Sequence, residues 1–150
     1  MSTHYKTGPG AKPQKKPPAG APFTRSIPSN SFEAQALVGE ALLHFREAKS
    51  AGLARDVEEY FFRLALDETL TNAVKHGNRG DAAKEITLTV NFTKHGAKVT
   101  VCDEGGGFCV EQVPDPRSAE RKYRKGGRGV WILNAVGSVV CRGACVEVRL

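Results

Sequence analysis

No apolar run in these 150 residues approaches the length that spans a bilayer, which excludes a helical membrane anchor in the sequence as given. The basic N-terminus is not followed by an apolar segment, so a secretory signal is not indicated and a cytoplasmic protein is the expectation. Cysteine is scarce: Cys102, Cys109, Cys141 and Cys145 form no CxxC pair and share no zinc-ligand spacing with the four histidines. Cys102 and Cys141 sit inside apolar runs, where cysteine reads as a small buried hydrophobe. Aromatic residues are also few, and only Tyr5 and Phe23, 18 positions apart, fall in the basic stretch over the first 25 residues. The net charge of +6 therefore lacks the stacking platform that single-stranded nucleic acid needs, and nucleic-acid binding is not expected. Neither GxxxxGK[ST] nor a GxGxxG between strand and helix is found, which argues against a P-loop or a dinucleotide fold.

What the chain does contain begins with a tail. Residues 1–22 are rich in proline, glycine and lysine without an apolar period, and such a segment cannot bury enough surface to offset its ordering entropy. A domain over residues 23–150 follows, with no internal repeat. Phe23–Pro28 reads as a short strand, and Asn30-Ser-Phe-Glu33 as a capping box. A helix follows to about Gly52, with Phe32, Ala36, Leu37, Leu43 and Phe45 as its apolar stripe. A second helix opens at Asp56, with Glu59 three residues on. It runs through Val57, Tyr60, Phe61, Leu64, Ala65, Thr69 and Val74, with Gly77 as its stop.

Glu85–Phe92 and Ala97–Asp103 alternate in polarity and are joined by a hairpin at Lys94-His-Gly96. A short helix near Val130–Val136 leads to a closing hairpin of Ser138–Arg142 and Cys145–Leu150, turning at Gly143. The pattern predicts an α+β two-layer sandwich, its mixed and mostly antiparallel sheet carrying helices on one face.

Three segments carry chemistry. Glu68 and Asn72 stand four residues apart and so share one helix face, which Lys75 and His76 continue. Such a row is often a solvated surface. Here, however, the helix is otherwise apolar, and a carboxylate beside a carboxamide oxygen can orient a hydroxyl and ligate Mg²⁺. Asp103-Glu-Gly-Gly-Gly-Phe108 ends a strand. Its glycines fit an ordinary turn, or a backbone that lets a ligand approach while Asp103 accepts from an exocyclic amine. Gly126-Gly-Arg-Gly129 precedes a helix, where free N–H groups suit phosphate. Arg117, Arg121, Lys122, Arg124 and Lys125 lie between the two glycine clusters, in a long polar loop of the kind that covers a triphosphate.

Together and in this order the segments resemble the GHKL ATPase superfamily, and within it the RsbW-like anti-sigma-factor serine/threonine kinases of bacteria. The likeness rests on Leu66-Asp-Glu-Thr-Leu-Thr-Asn-Ala-Val-Lys-His-Gly77, on Asp103–Phe108 and on Gly126–Val130, and it runs from about Phe23 to Leu150. It implies the GHKL (Bergerat) fold, with ATP and Mg²⁺ as ligands. Glu68 would be the general base and Asn72 the magnesium ligand, with Lys75 and His76 near the phosphates. Asp103 would bind the adenine amino group, Gly105 and Gly107 would admit the base, and Gly127, Arg128, Gly129 and Val130 would hold the phosphates.

The implied activity is phosphorylation of an anti-anti-sigma (STAS-type) partner by a kinase that otherwise sequesters a sigma factor, and the resemblance also implies a homodimer. Two departures stand out. Cys145-Val146 occupies the place of a Gly-Thr pair that supports the adenine site, and the first helix offers only Arg46 where the kinases carry an arginine near the glutamate. The second departure points to a different class of function, a nucleotide-binding switch without phosphoryl transfer. A detached histidine-kinase catalytic domain is a third reading, weakened because no phosphoacceptor helix pair precedes the fold in this sequence.

Overall fold

The computed structural model describes residues 18–106, 133–135 and 137–150. After a turn in which the Ala21 N–H donates to the Pro18 carbonyl, strand β1 (Phe23–Pro28) leads into helix α1 (Ser31–Ser50). The expected cap is present: the Glu33 N–H donates to Asn30 Oδ1 at 2.9 Å. Gly52, at φ +83°, turns the chain out of the helix.

Helix α2 (Glu59–Asn72) begins later than its sequence signal. Asp56 does not cap it, and its carboxylate instead meets His95 at 3.0 Å. The helix also ends earlier than expected. Ala73–Gly77 forms a single π turn, so Gly77 closes a widened turn rather than a continuous α-helix.

Strands β2 (Glu85–Phe92), β3 (Ala97–Asp103), β4 (Ser138–Arg142) and β5 (Cys145–Arg149) agree with the sequence reading to within a residue. With β1 they make one sheet in the order β1-β2-β3-β5-β4. Every pairing among the described residues is antiparallel, in keeping with the mostly antiparallel sheet expected. Alternation decides its faces. Ile86, Leu88, Val90, Val99, Val101 and Val148 turn towards the helices and are nearly inaccessible. Thr87 and Thr89 turn the other way and pair their hydroxyls with Ser26 and Thr24 of β1.

The helices cover one face as predicted, but with different residues. In α1 the buried stripe is Ala34, Leu37, Val38, Ala41, Leu42, Phe45 and Ala48, while Phe32 and Leu43 are 79% and 60% exposed. In α2 it is Phe62, Ala65, Leu66, Thr69 and Leu70, with Tyr60 left outside. Phe45 and Phe62 stack at 4.5 Å between ring centroids, and Phe92 of β2 closes on both. Truncating a ring so enclosed costs about 3–5 kcal/mol in comparable cores.

The cysteines overturn one expectation. Cys102 is not a free buried hydrophobe but is disulfide-bonded to Cys145. The β3–β5 register sets these residues directly opposite each other, and the neighbouring Asp103 N–H bonds the Ala144 carbonyl. That makes 102 and 145 a non-hydrogen-bonded pair, the position where antiparallel strands bring side chains closest. None of the described helices is long and apolar enough to cross a membrane.

Candidate nucleotide site

Helix α2 presents two polar edges beside its buried stripe. Glu68 and Asn72 form one of them, both half-buried and one turn apart. Partial burial disfavours the charged form of Glu68, and its pKa lies above the ordinary carboxylate range. The neighbouring Asp67 charge pushes the same way, and Lys75 opposes both. The Asn72 side chain has no hydrogen-bond partner among the described residues, so its amide oxygen is available to a ligand.

Asp67 and Thr71 belong to the opposite edge. With Lys75 and the α1 residues Ser31, Ala34 and Gln35 they line a groove of about 160 Å³ on the helix seam. This groove contains neither Glu68 nor Asn72, so it is a separate feature from the carboxylate–carboxamide edge.

Local chemistry explains why α2 opens into a π turn. The Thr69 hydroxyl donates back to the Ala65 carbonyl at 2.6 Å, a bond that loosens and bends helices. One turn later the Asn78 N–H reaches the Ala73 carbonyl at 2.8 Å, five residues back, and closes the widened turn. Single π turns inside helices are frequent at functional sites. This one exposes Lys75 and His76 to solvent and buries Gly77.

Gly77 is buried because Asp103 lies on it. A Cβ at position 77 would overlap Asp103 Oδ2 and Cγ, and a Cβ at 105 would fall on the Gly77 carbonyl oxygen. The Gly105 N–H also donates to Asp103 Oδ1 at 2.8 Å. The end of α2 and the loop after β3 thus interlock through two glycines and one carboxylate, with the Asp103 oxygens oriented by backbone. Sequence reasoning treated these segments separately; the structure puts Gly77, Asp103 and Gly105 in contact. Gly107, Gly127, Arg128, Gly129, Val130 and the basic loop Arg117–Lys125 lie outside the described residues.

One residue escaped the sequence reading. Asn78 is fully buried, and both ends of its side chain are bonded. Its Nδ2 donates to the Glu85 carbonyl and its Oδ1 accepts from the Glu104 N–H, each at 2.9 Å. The only available signal was an asparagine after a glycine, which reads as an ordinary turn.

These features fit a nucleotide better than they fit a metal alone. The Gly77–Gly105 interlock holds the Asp103 carboxylate as an oriented acceptor for a base amino group, and Asn72 offers one hard oxygen. Among the described residues no three His, Cys, Asp or Glu side chains gather to hold a metal ion. A magnesium ion would therefore take most of its ligands from phosphate and water, as it commonly does.

An antiparallel sheet under two helices, with a Glu–Asn edge on the helix whose end meets a backbone-held aspartate, is the arrangement expected of an ATPase domain of the histidine-kinase-like class. Residues 32–149 match the histidine kinase-like ATPase domain, and the chain belongs to that family. The family domain implies ATP binding. Among curated proteins, the chain is similar to the serine-protein kinase RsbW of Oceanobacillus iheyensis, with 25% identity over 80 residues. That match covers 49% of this chain and 51% of the relative, so the chain spans about half the length of the curated relative it matches.

Proposed function

We propose that this chain is an ATP-dependent serine/threonine protein kinase of the cytoplasm that phosphorylates an anti-anti-sigma, STAS-type partner and sequesters a sigma factor. The observation that carries the reading is Glu68, a half-buried carboxylate with a raised pKa, one helical turn from the half-buried Asn72 amide. A base whose pKa is raised toward the working pH is a better proton acceptor in the transition state.

In the proposed reaction Glu68 takes the proton of a partner serine or threonine hydroxyl as its oxygen attacks the γ-phosphorus of ATP. The bond to the β,γ-bridging oxygen breaks and ADP leaves. Asn72 would hold Mg²⁺, which when bound neutralises phosphate charge. Asp103 would bind the adenine amino group, while Gly127, Arg128 and Gly129 would contact the phosphates. A homodimer is part of the same proposal.

The test is Glu68→Gln, which keeps size and hydrogen-bonding reach while removing basicity. Transfer of label from γ-labelled ATP to a STAS-type partner should fall on the order of 10²–10⁴-fold with ATP affinity nearly unchanged. Undiminished transfer in the variant would remove Glu68 as the base.

A second reading, a switch that binds ATP and its partner without transfer, is favoured by Arg46. Its guanidinium is engaged with both carboxylate oxygens of Glu59, at 2.9 and 2.5 Å. Glu59 lies nine residues before Glu68 on the same helix, about 13 Å along its axis. Arg46 is thus committed at the far end of α2 and not beside the proposed base. Absence of transfer from wild type to a partner that it binds would select this reading.

A further inference from the structure

Asn78, Glu85 and Glu104 close a ring of hydrogen bonds beneath the loop that carries Asp103. The Asn78 amide donates to the Glu85 carbonyl, the Glu85 N–H donates to Glu104 Oε2, and the Glu104 N–H returns to Asn78 Oδ1. The backbone of Asn78 is committed too: its N–H closes the π turn on Ala73, and its carbonyl accepts from the Asp81 N–H. One inaccessible side chain therefore ties the end of the catalytic helix to the start of β2 and to the loop after β3. Glu104 lies between the two residues whose bond orients the carboxylate, since Gly105 N–H donates to Asp103 Oδ1. A free loop would let Gly105 drift and Asp103 turn, while a pinned Glu104 holds both. The Asn78 side chain is inaccessible, and a buried amide is costly to leave half-bonded, which is what holds its two bonds of the ring in place.

We propose that Asn78 is a positioning residue for base recognition: through Glu104 and Gly105 it fixes the Asp103 carboxylate and thereby sets selectivity for adenine over guanine nucleotides. The inference rests on the reading of Asp103 as the group that meets the base. A carboxylate accepts from the adenine amino group but opposes the guanine carbonyl, and only a carboxylate held in place enforces that difference. A site that pairs a substrate N–H rejects the mismatched analogue because buried acceptors are left opposed.

The experiment measures ATP and GTP affinities by calorimetry for wild type, Asn78→Ala, Asn78→Asp, Asp103→Ala and the Asn78→Asp/Asp103→Ala double variant, with thermal melting of each. Asn78→Asp keeps the shape and the acceptor to Glu104 and loses the donor to Glu85, so it serves if Asn78→Ala does not fold. The expected result is an ATP affinity lower on the order of tenfold with GTP affinity little changed, and no further narrowing when Asp103 is already alanine.

Equal losses for ATP and GTP, an unchanged ratio in a folded variant, or an effect of Asn78→Asp that persists without Asp103 would each overturn the proposal. A wild type that does not distinguish the bases, or whose preference survives Asp103→Ala, shows instead that the reading of Asp103 is wrong, and the role of Asn78 falls with it. Hydrogen exchange on the wild type needs no variant. Exchange of the Glu104 amide should slow with ATP and not with GTP; identical exchange with both would also overturn it.

Discussion

Replacing Gly77 with alanine separates what this glycine does for the fold from what it does for the site. The added methyl would overlap Asp103 Oδ2 and Cγ and stand 3.0 Å from Asp103 Cβ. The closest obstructing atoms are the far end of a side chain that can rotate away, and the contact with Cβ needs only a small local shift. Gly77 is not in the left-handed region either, since among the described glycines positive φ occurs at Gly20, Gly52, Gly80 and Gly143. In a helix interior the same change gains roughly 0.5–1 kcal/mol from backbone entropy. That gain offsets part of what turning Asp103 away costs the fold, so unfolding stability should fall by no more than about 2 kcal/mol.

The cost falls on Asp103, which must rotate away and release the Gly105 N–H that it now accepts at 2.8 Å. Hydrogen bonds to charged groups contribute about 1.5–3 kcal/mol. A misaligned Asp103 would lose its own charge-assisted bond to the adenine amino group, of the same size, which should weaken ATP binding roughly 10- to 100-fold. Calorimetric titration of ATP, run beside thermal melting of the ligand-free proteins, reads both quantities. Gly105→Ala is the companion: its methyl would fall on the Gly77 carbonyl, a backbone atom that cannot swing aside, so its melting temperature should drop by several degrees. A Gly77→Ala protein with wild-type melting and wild-type ATP affinity would refute the role assigned to the cradle.

Three further outcomes are expected. Glu68 has a raised pKa when folded, so it contributes stability below the ordinary carboxylate range that is lost as pH climbs through the raised value. Glu68→Gln does not titrate, and its melting temperature relative to wild type should therefore rise between about pH 4 and pH 7; a flat or falling difference would show that burial is not what shifts Glu68. Asn72→Ala should keep the fold but lose the magnesium-dependent part of the thermal shift that ATP produces, and an unchanged magnesium dependence would take Asn72 out of the site. Arg46→Ala breaks an exposed ion pair with Glu59 and should leave phosphoryl transfer at the wild-type rate, whereas a tenfold fall would place Arg46 in the reaction despite its position.

The strands and the helix order were legible because their signals are local. Alternation in Glu85–Phe92 and the Asn30–Glu33 cap are written within a few residues of where they act. Errors entered where a faces-inward decision depends on the partner layer. Phe32 and Leu43 are apolar and fall on the same side of α1, yet the helix rolls to bury the small residues Ala34, Ala41 and Ala48 beside Leu37 and Phe45. Close approach to the sheet and to α2 favours small side chains there, and periodicity alone does not say which of two apolar stripes wins. The Cys102–Cys145 pair was hidden for a related reason, because it exists only through the β3–β5 register across 43 residues of chain.

Gly77 shows most clearly how a correct residue can carry an incomplete reason. Glycine at the end of a helical pattern has two physical explanations: a left-handed residue that terminates the helix, or an absent side chain that lets another segment in. The two differ in φ and in what lies above the Cα, and neither is visible from position 77. The deciding residue is Asp103, 26 positions later, whose carboxylate fills the space a side chain would need. Asn78 follows the same logic, with its hydrogen-bond partners 7 and 26 residues away. A site assembled from a helix end and a distant loop announces its chemistry in the residues that face the ligand. The residues that hold those in place look like turn formers until the loop is folded back on them.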